Sequence, residues 1–456
     1  MTIESHLAAS ARSWAQEIQR VRGVERARLL VRLARKAVYV GALQALRLVL
    51  FNPAGLWLWV QLLKGRVEFF GTSHTIGDMV TETEYYLKRK RRLRSRALSV
   101  FLVNKPFIAN PYLGRFLAKA LGSRRVLFVM NRFLCRLLGP IEWQLFYAWD
   151  LAPQSKRRRG LRVGEVYTTQ HPPEYHELNR LYQFHLEREL SVAERRRARA
   201  ALETLGLPRD ATFVCVHARE AGFKAWAQPD GHGTFRNVDI ETYLPAIEYL
   251  VRQGFFVVRM GEPAVKPLPP MARVIDYARS PLKSDWLDVV LMAECEFLLG
   301  CNSGFSHLAH LFNKKALWTN SIALETAPWD DLVLWMPKLI FSRAEGRHLT
   351  YPEIVERGYG SFQLTQQYEA ANLELRDNSP EDILEAAKEL HRWVLGEAGC
   401  TDEDRRRQAA FLRMFPPHYI GYGTRSNVCA SFIRAHPDLM PQSAEGVAAV
   451  GAGPTS

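Results

Sequence analysis

The chain has 456 residues, of which 47% are hydrophobic and 24% charged, and its formal net charge is +14. That length fits a globular protein of two or three domains with at least one sizeable core. Its six cysteines (135, 215, 295, 301, 400 and 429) contain no CxxC pair, which excludes a disulfide framework and a zinc site and fits reduced, buried thiols in the cytosol.

The charge is uneven. Residues 1–200 carry 36 Lys and Arg against 15 Asp and Glu, whereas the remainder carries 25 against 32. One half is therefore expected to meet an anionic surface. The opening MTIESHLAAS has no basic stretch leading into an apolar core, so no secretory signal is expected. Residues 37–63 are the most apolar stretch, but Arg47 and Asn52-Pro53 interrupt it, and neither half reaches the roughly 20 residues that span a bilayer. Together with the basic amphipathic VRGVERARLLVRLARK before it, residues 1–63 read as helices lying in a membrane interface, with Trp57 and Trp59 as anchors, or else as core-packing helices.

From residue 64 short apolar runs alternate with helical periodicity. VEFFG (67–71), SVFLVN (99–104) and RVLFVM (125–130) read as strands, with helices after TSHTIGD and near 112–121. Residues 150–180 read as loops. SVAERRRARAALETLGLP (191–208) is a helix that stops near Gly206, and a second alternating series follows. Strands are expected at 211–220, 255–261 and 273–278, then at EFLLG and KALWTN, with helices at 238–254 and at 284–295 behind Ser284. Ser379 caps a helix over 379–397, and 443–456 reads as a disordered tail. Strand–helix alternation predicts an α/β protein with parallel sheets. The expected units are 1–63, 64–190, 191–398 and 399–456.

Four strands of the second series end in polar residues: His217-Ala218-Arg219-Glu220, Arg259-Met260-Gly261, Asp276-Tyr277 and Gly300-Cys301-Asn302-Ser303-Gly304. In a parallel sheet these ends share one edge, which is where such sheets bind ligands. Arginine forks, small residues and a helix start suit a diphosphate. In the helix opening at 304, Phe305, Leu308, Ala309 and Phe312 form an apolar face, while Ser303, Ser306, His307 and His310 form a polar one. No GxGxxG or GxxxxGK[ST] is present, which disfavours dinucleotide and P-loop binding. Asp402-Glu403-Asp404 reads as a solvated face, and no metal site is expected.

FVCVHARE is similar to the His-x-Arg strand end of protein O-fucosyltransferases, and LLGCNSGFSHLAHLF to the glycine–serine turn of heptosyltransferase-like and fucosyltransferase-like enzymes. TFRNVDIETYLPAIEYLVRQGFFVVRMG, DYARS and TYPEI also resemble the GT-B glycosyltransferases found with bacterial cell-surface polysaccharide genes. The resemblance covers about 205–360 well and 64–180 more weakly. It implies two Rossmann-like domains facing a cleft, an acceptor domain followed by a nucleotide-sugar donor domain. It implies metal-independent sugar transfer to a glycan or lipid-linked acceptor, with no cofactor beyond the nucleotide sugar. Glu220 stands where fucosyltransferases commonly have a second arginine, which argues against GDP-fucose.

By that resemblance Arg219 contacts the phosphates, with Asn302, Ser303, Gly304, Ser306 and His307 at the turn and His217 beside the donor. Arg259, Gly261 and Asp276 reach the sugar or base, and Arg236-Asn237 close over the site or cap the next helix. The candidate bases are His74 and Asp78, in the loop after the first strand, and Glu220. The basic runs 88–96 and 156–162 would face anionic lipid at the inner side of the cytoplasmic membrane. Two other readings are a nucleotide-sugar epimerase of the same fold and a nucleic-acid-binding protein. No nucleic-acid recognition motif is present, and the basic segments lack interleaved aromatic residues.

Overall fold

The computed structural model describes residues 27, 31, 67–70, 75–94, 96, 98–102, 108–121, 126–129, 172–181, 190–220, 234–262, 266–397 and 400–441. The interfacial segment 1–63, apart from residues 27 and 31, lies outside them, as do His74, the basic run 156–162 and the tail from 443.

The first unit is a parallel sheet of β1 (Val67–Phe70), β2 (Leu98–Leu102) and β3 (Val126–Val129), in that order. Helices Ile76–Arg92 and Pro111–Leu121 make the crossovers. This follows the expected alternation. The second unit is a seven-stranded sheet containing β4 (Phe213–His217), β5 (Phe256–Met260), β6 (Val274–Ile275), β7 (Phe297–Cys301), β8 (Lys315–Ser321) and β9 (Val333–Pro337). Strands β10 (Leu339–Ser342), β11 (Arg347–His348) and β12 (Leu373–Arg376) form a separate antiparallel sheet. The chain then returns to the large sheet with β13 (Asn427–Val428) at its edge.

The large sheet runs β13-β9-β8-β7-β4-β5-β6, with every pair parallel. The order reverses between β4 and β7. Strands β5 and β6 build outward on one side, and β8 and β9 on the other. Every residue of β4 and β7 is buried, as a strand covered on both faces requires.

Local chemistry sets the helix ends. Ser191 and Glu194 form a capping box, and Gly206, at φ 100°, ends that helix in the left-handed region. Ser284 caps Asp285–Glu294, and Ser379 with Asp382 caps Pro380–Val394. Several elements depart from the sequence reading. Pro172–Leu181 is a helix within the expected loops, with Pro172 in its first turn, where a missing N–H costs nothing. The helix expected over 238–254 divides into a 3₁₀ turn, Ile240–Tyr243, and the α-helix Leu244–Arg252. The strand expected over 273–278 shrinks to β6, because Tyr277–Arg279 coil into a 3₁₀ turn. Asp402-Glu403-Asp404 open the helix Asp402–Arg413. Asp404 is buried, closing a capping box with Thr401 and pairing with Arg434 at 2.7 Å, so it is not part of a solvated face. No helix among the described residues is long and apolar enough to cross a membrane.

A buried chain of charges joins the two units. His310 Nε2 lies 2.5 Å from Glu84 Oε2 in the first unit, and its Nδ1 bonds Asp330. Lys88 Nζ lies 2.5 Å from Glu84 and donates to Asn179 at 2.7 Å. Lys88, the first residue of the basic run 88–96, is therefore a buried interface group. Burial opposes the charge on both members, yet their partners prevail: Glu84 is held at about 2 and His310 is raised to about 10. Around this chain, Phe116 packs on Phe312 at 5.5 Å, and Asn110 Nδ2 donates to the Asp285 carbonyl at 2.9 Å.

Removing one partner from a buried ion network leaves an uncompensated charge, at about 3 kcal/mol or more. Glu84→Gln is therefore expected to lower the melting temperature clearly more than Glu203→Gln, whose ion pair with Arg209 lies at the surface, at 3.5 Å. Equal melting temperatures by calorimetry would contradict a structural role for the chain.

Candidate functional site

Strands β4 and β7 are adjacent, with His217 in register with Gly300. Their carboxyl ends open at the point where the strand order reverses, which is where an open α/β sheet has a crevice. Two clusters and one turn occupy this edge.

The first cluster is a closed ion network. Arg259 is almost fully buried; its Nη2 donates to Glu220 Oε2 at 2.5 Å and its Nη1 to Asp276 Oδ2 at 3.1 Å and to the Lys266 carbonyl. Asp276 Oδ2 also accepts the Leu268 N–H at 3.1 Å. Burial raises the Glu220 pKa against the pull of Arg259. Glu220, Arg259 and Asp276 thus meet as expected, but they bind one another and fasten the ends of β4, β5 and β6. Gly261, at φ 146°, follows β5 with its Cα facing Ala278 and His217.

The second cluster is cationic. Arg219 Nη1 donates to Asn237 Oδ1 at 2.5 Å, and the Val238 N–H donates to the Arg219 carbonyl at 2.8 Å. Lys338 Nζ donates to the Asn237 carbonyl at 2.8 Å and to Asp377 Oδ1 at 2.6 Å. Burial, with the Arg236 charge next to it, lowers the Arg219 pKa to about 10. Arg219, Arg236 and Lys338 all act on the Cys301 thiol, which burial nevertheless pushes up to about 11. The Arg219 N–H donates to Cys301 Sγ at 3.1 Å, which brings this cluster to the last residue of β7. Lys338 and Asp377 were not singled out in the sequence, although Lys338 directly follows the apolar run VLWMP and repeats the pattern of a polar strand end.

The turn after β7 is tighter than a regular helix start. Gly304–Ser306 form a 3₁₀ turn, and the α-helix His307–Leu311 that follows has only five residues. Ser306 Oγ donates to the Cys301 carbonyl at 2.7 Å, Ser303 Oγ lies 3.5 Å from Ser306 Oγ, and Asn302 Nδ2 donates to the Ile322 carbonyl at 3.1 Å. On the polar face of this segment Ser303 and Ser306 are buried, and His307 and His310 are half-buried. His307 stacks edge-on against Trp318 at 4.9 Å, and the His217 ring lies 4.8 Å from Phe305. The cover is the first turn of Ile76–Arg92: a Cβ on Gly77 would stand 2.9 Å from the Gly304 Cα. Asp78 follows Gly77 in that first helical turn.

No family model matches the chain, and no curated protein matches it either. Solved structures do match. A glycosyl transferase family 9 structure from Veillonella parvula shares 13% identity, with a TM-score of 0.40 over 73% of this chain and 98% of that one. The ADP-heptose LPS heptosyltransferase II of E. coli shares 16%, with a TM-score of 0.39 over 73% and 99%. The iron-containing heptosyltransferase TibC, solved with ADP-D-beta-D-heptose, shares 10%, with a TM-score of 0.35 over 72% and 77%. Among the described residues no group of three or more His, Cys, Asp or Glu is placed to hold a metal ion.

The buried histidines set a pH dependence. Burial lowers His217 and His307 to about 4, so each is neutral when folded at pH 7. The unfolded chain takes up protons near 6.5, so their contribution is full above that value and lost as pH falls toward 4. His310 behaves oppositely: its contribution is full below about 6.5 and lost as pH rises through about 10. The melting temperature is therefore expected to peak near neutrality and fall on both sides. His310→Asn is expected to flatten the alkaline limb and leave the acid limb; an unchanged alkaline limb in calorimetry from pH 5 to 10 would contradict the imidazolium assignment.

Proposed function

We propose that this protein is a glycosyltransferase whose nucleotide-sugar donor binds in the crevice at the ends of β4 and β7. The observation that carries the reading is the position of Arg219 at the point of strand-order reversal: buried, with its backbone N–H on Cys301 Sγ at 3.1 Å and its guanidinium on Asn237 Oδ1. The Arg236 charge acts on Arg219, and a diphosphate beside the two arginines relieves their repulsion while receiving charge-assisted hydrogen bonds.

In the transfer, the bond from the anomeric carbon to the diphosphate oxygen breaks and its electron pair leaves with the diphosphate. The acceptor hydroxyl forms the new bond to that carbon and gives up its proton. Arg219 and Arg236 stabilise the departing charge, with Ser303 and Gly304 lining the turn beside it. His217, neutral at pH 7, packs against the donor. Asp78, in the helix turn that meets Gly304, or His74 just before it, takes the proton. Glu220 is held by Arg259 and serves to fix the strand ends. The acceptor is a glycan or lipid-linked sugar, and the excess of 36 cations over 15 anions in residues 1–200 supports association with an anionic membrane surface.

The test is a thermal-shift titration of the purified chain with ADP, UDP and GDP, without and then with divalent metal. A ligand confined to the native state raises the melting temperature by mass action. One diphosphate is expected to stabilise the wild type and to lose that effect in Arg219→Ala, with turnover falling roughly 100-fold or more. Full stabilisation of Arg219→Ala would remove the assignment. A shift with acidic lipid or DNA alone would move the function to the basic half.

A further inference from the structure

A buried lysine is an expensive group to keep, because desolvating an ammonium is repaid only by close partners. Lys338 is 4% exposed. Its backbone is fixed on both sides: its N–H donates to the Ser321 carbonyl at 2.9 Å, and its carbonyl accepts the Tyr351 hydroxyl at 3.3 Å. Asp377 supplies its counter-charge at 2.6 Å. The remaining bond runs to a residue 101 positions away, the Asn237 carbonyl, at 2.8 Å.

Asn237 is the junction. The oxygen of its side chain accepts from Arg219, while the oxygen of its backbone accepts from Lys338. Two further backbone bonds hold it: its N–H donates to the Thr234 carbonyl at 2.9 Å, and the next N–H, of Val238, donates to the Arg219 carbonyl at 2.8 Å. A shift of the Asn237 backbone therefore moves the acceptor that orients the Arg219 guanidinium. Strand β9, which Lys338 directly follows, lies three places from β4 in the sheet. Lys338 thus ties the segment over the site to the far side of the large sheet.

We propose that Lys338 is a positioning residue for the donor phosphates: held by Asp377, it fixes Asn237, and Asn237 fixes Arg219. The proposal rests on the donor-site reading and adds to it a residue that acts through another. A displaced arginine fork loses paired hydrogen bonds to an anion, so the effect appears in anion affinity more than in fold stability.

The experiment uses inorganic pyrophosphate as the probe, titrated by calorimetry into the full chain at fixed ionic strength, with melting temperatures recorded for every variant. Lys338→Met is expected to raise the pyrophosphate Kd about tenfold, an effect the size of a modest coupling energy. The decisive comparison is the same change in an Asn237→Ala background. There the side chain that orients Arg219 is gone, so Lys338→Met is expected to change Kd less than twofold. A full tenfold effect in that background would mean that Lys338 acts on the anion independently, and the positioning role would be overturned. An unchanged Kd for Lys338→Met in the wild-type background would overturn it as well. Should Lys338→Met fail to fold, Asp377→Asn loosens the same ammonium from a half-exposed carboxylate; a weakening of about threefold that vanishes with Asn237→Ala supports the proposal, and an additive effect rejects it. Arg219→Ala separates the two readings. Loss of binding there with none in Lys338→Met rejects only the positioning role. Unaltered binding in Arg219→Ala, or no binding by the wild type, rejects the donor site and the proposal with it.

Discussion

The parallel pairing of β4 with β7 is the constraint on which the rest of the molecule depends. Strands separated by about eighty residues of chain lie side by side, with Cys215 opposite Leu298 and His217 opposite Gly300. Because β5 and β6 extend one way and β8 and β9 the other, the loops leaving β4 and β7 diverge and leave a crevice between them. The small residues at the β7 end follow from this crowding. A Cβ on Gly300 would stand 3.2 Å from Ser306 Oγ and 3.4 Å from the His217 carbonyl, so a side chain there would press on the turn that follows.

The charges divide into two kinds around that pairing. Glu220, Arg259 and Asp276 satisfy one another in a nearly closed network, and Glu84, His310, Asp330 and Lys88 do the same between the two units. These groups hold parts of the chain in place. Arg219 and Lys338 instead meet on a neutral residue, Asn237, the first at its side-chain oxygen and the second at its carbonyl, with Lys338 also paired to Asp377. Distinguishing the two kinds requires coordinates, because an arginine at a strand end reads the same in either case.

Much of the architecture was legible in the sequence. The strands at 67–70, 98–102, 126–129, 213–217, 256–260 and 297–301 each fall within a short apolar run bounded by polar or turn residues. Ser284 and Ser379 marked their helices through the hydrogen bonds that they make. The run LVLWMPKLIF was not legible. It is apolar on both sides of Pro337-Lys338, and nothing local says that β9 belongs to the large sheet while β10 belongs to another. The polar face at 303–310 was correctly periodic, yet it is largely covered, because Gly77 and Glu84 come from more than two hundred residues away to pack on it. The gathering of polar strand ends at one edge was also legible from parallel topology. The pairing of Arg259 with Glu220, and the Lys338–Asn237–Arg219 chain, depend on distances that spacing along the chain does not carry.

The contact between Gly77 and Gly304 has a kinetic consequence. The two units touch there backbone to backbone, with no side chain between them and so no rotamer that can turn aside. Anything admitted between the start of Ile76–Arg92 and the turn after β7 must part the units as rigid pieces. The salt links at Glu84 and His310, on the same two helices, resist that parting. The separation of residues 77 and 304, with the His307 ring beside it, is therefore the coordinate along which any such parting is measured.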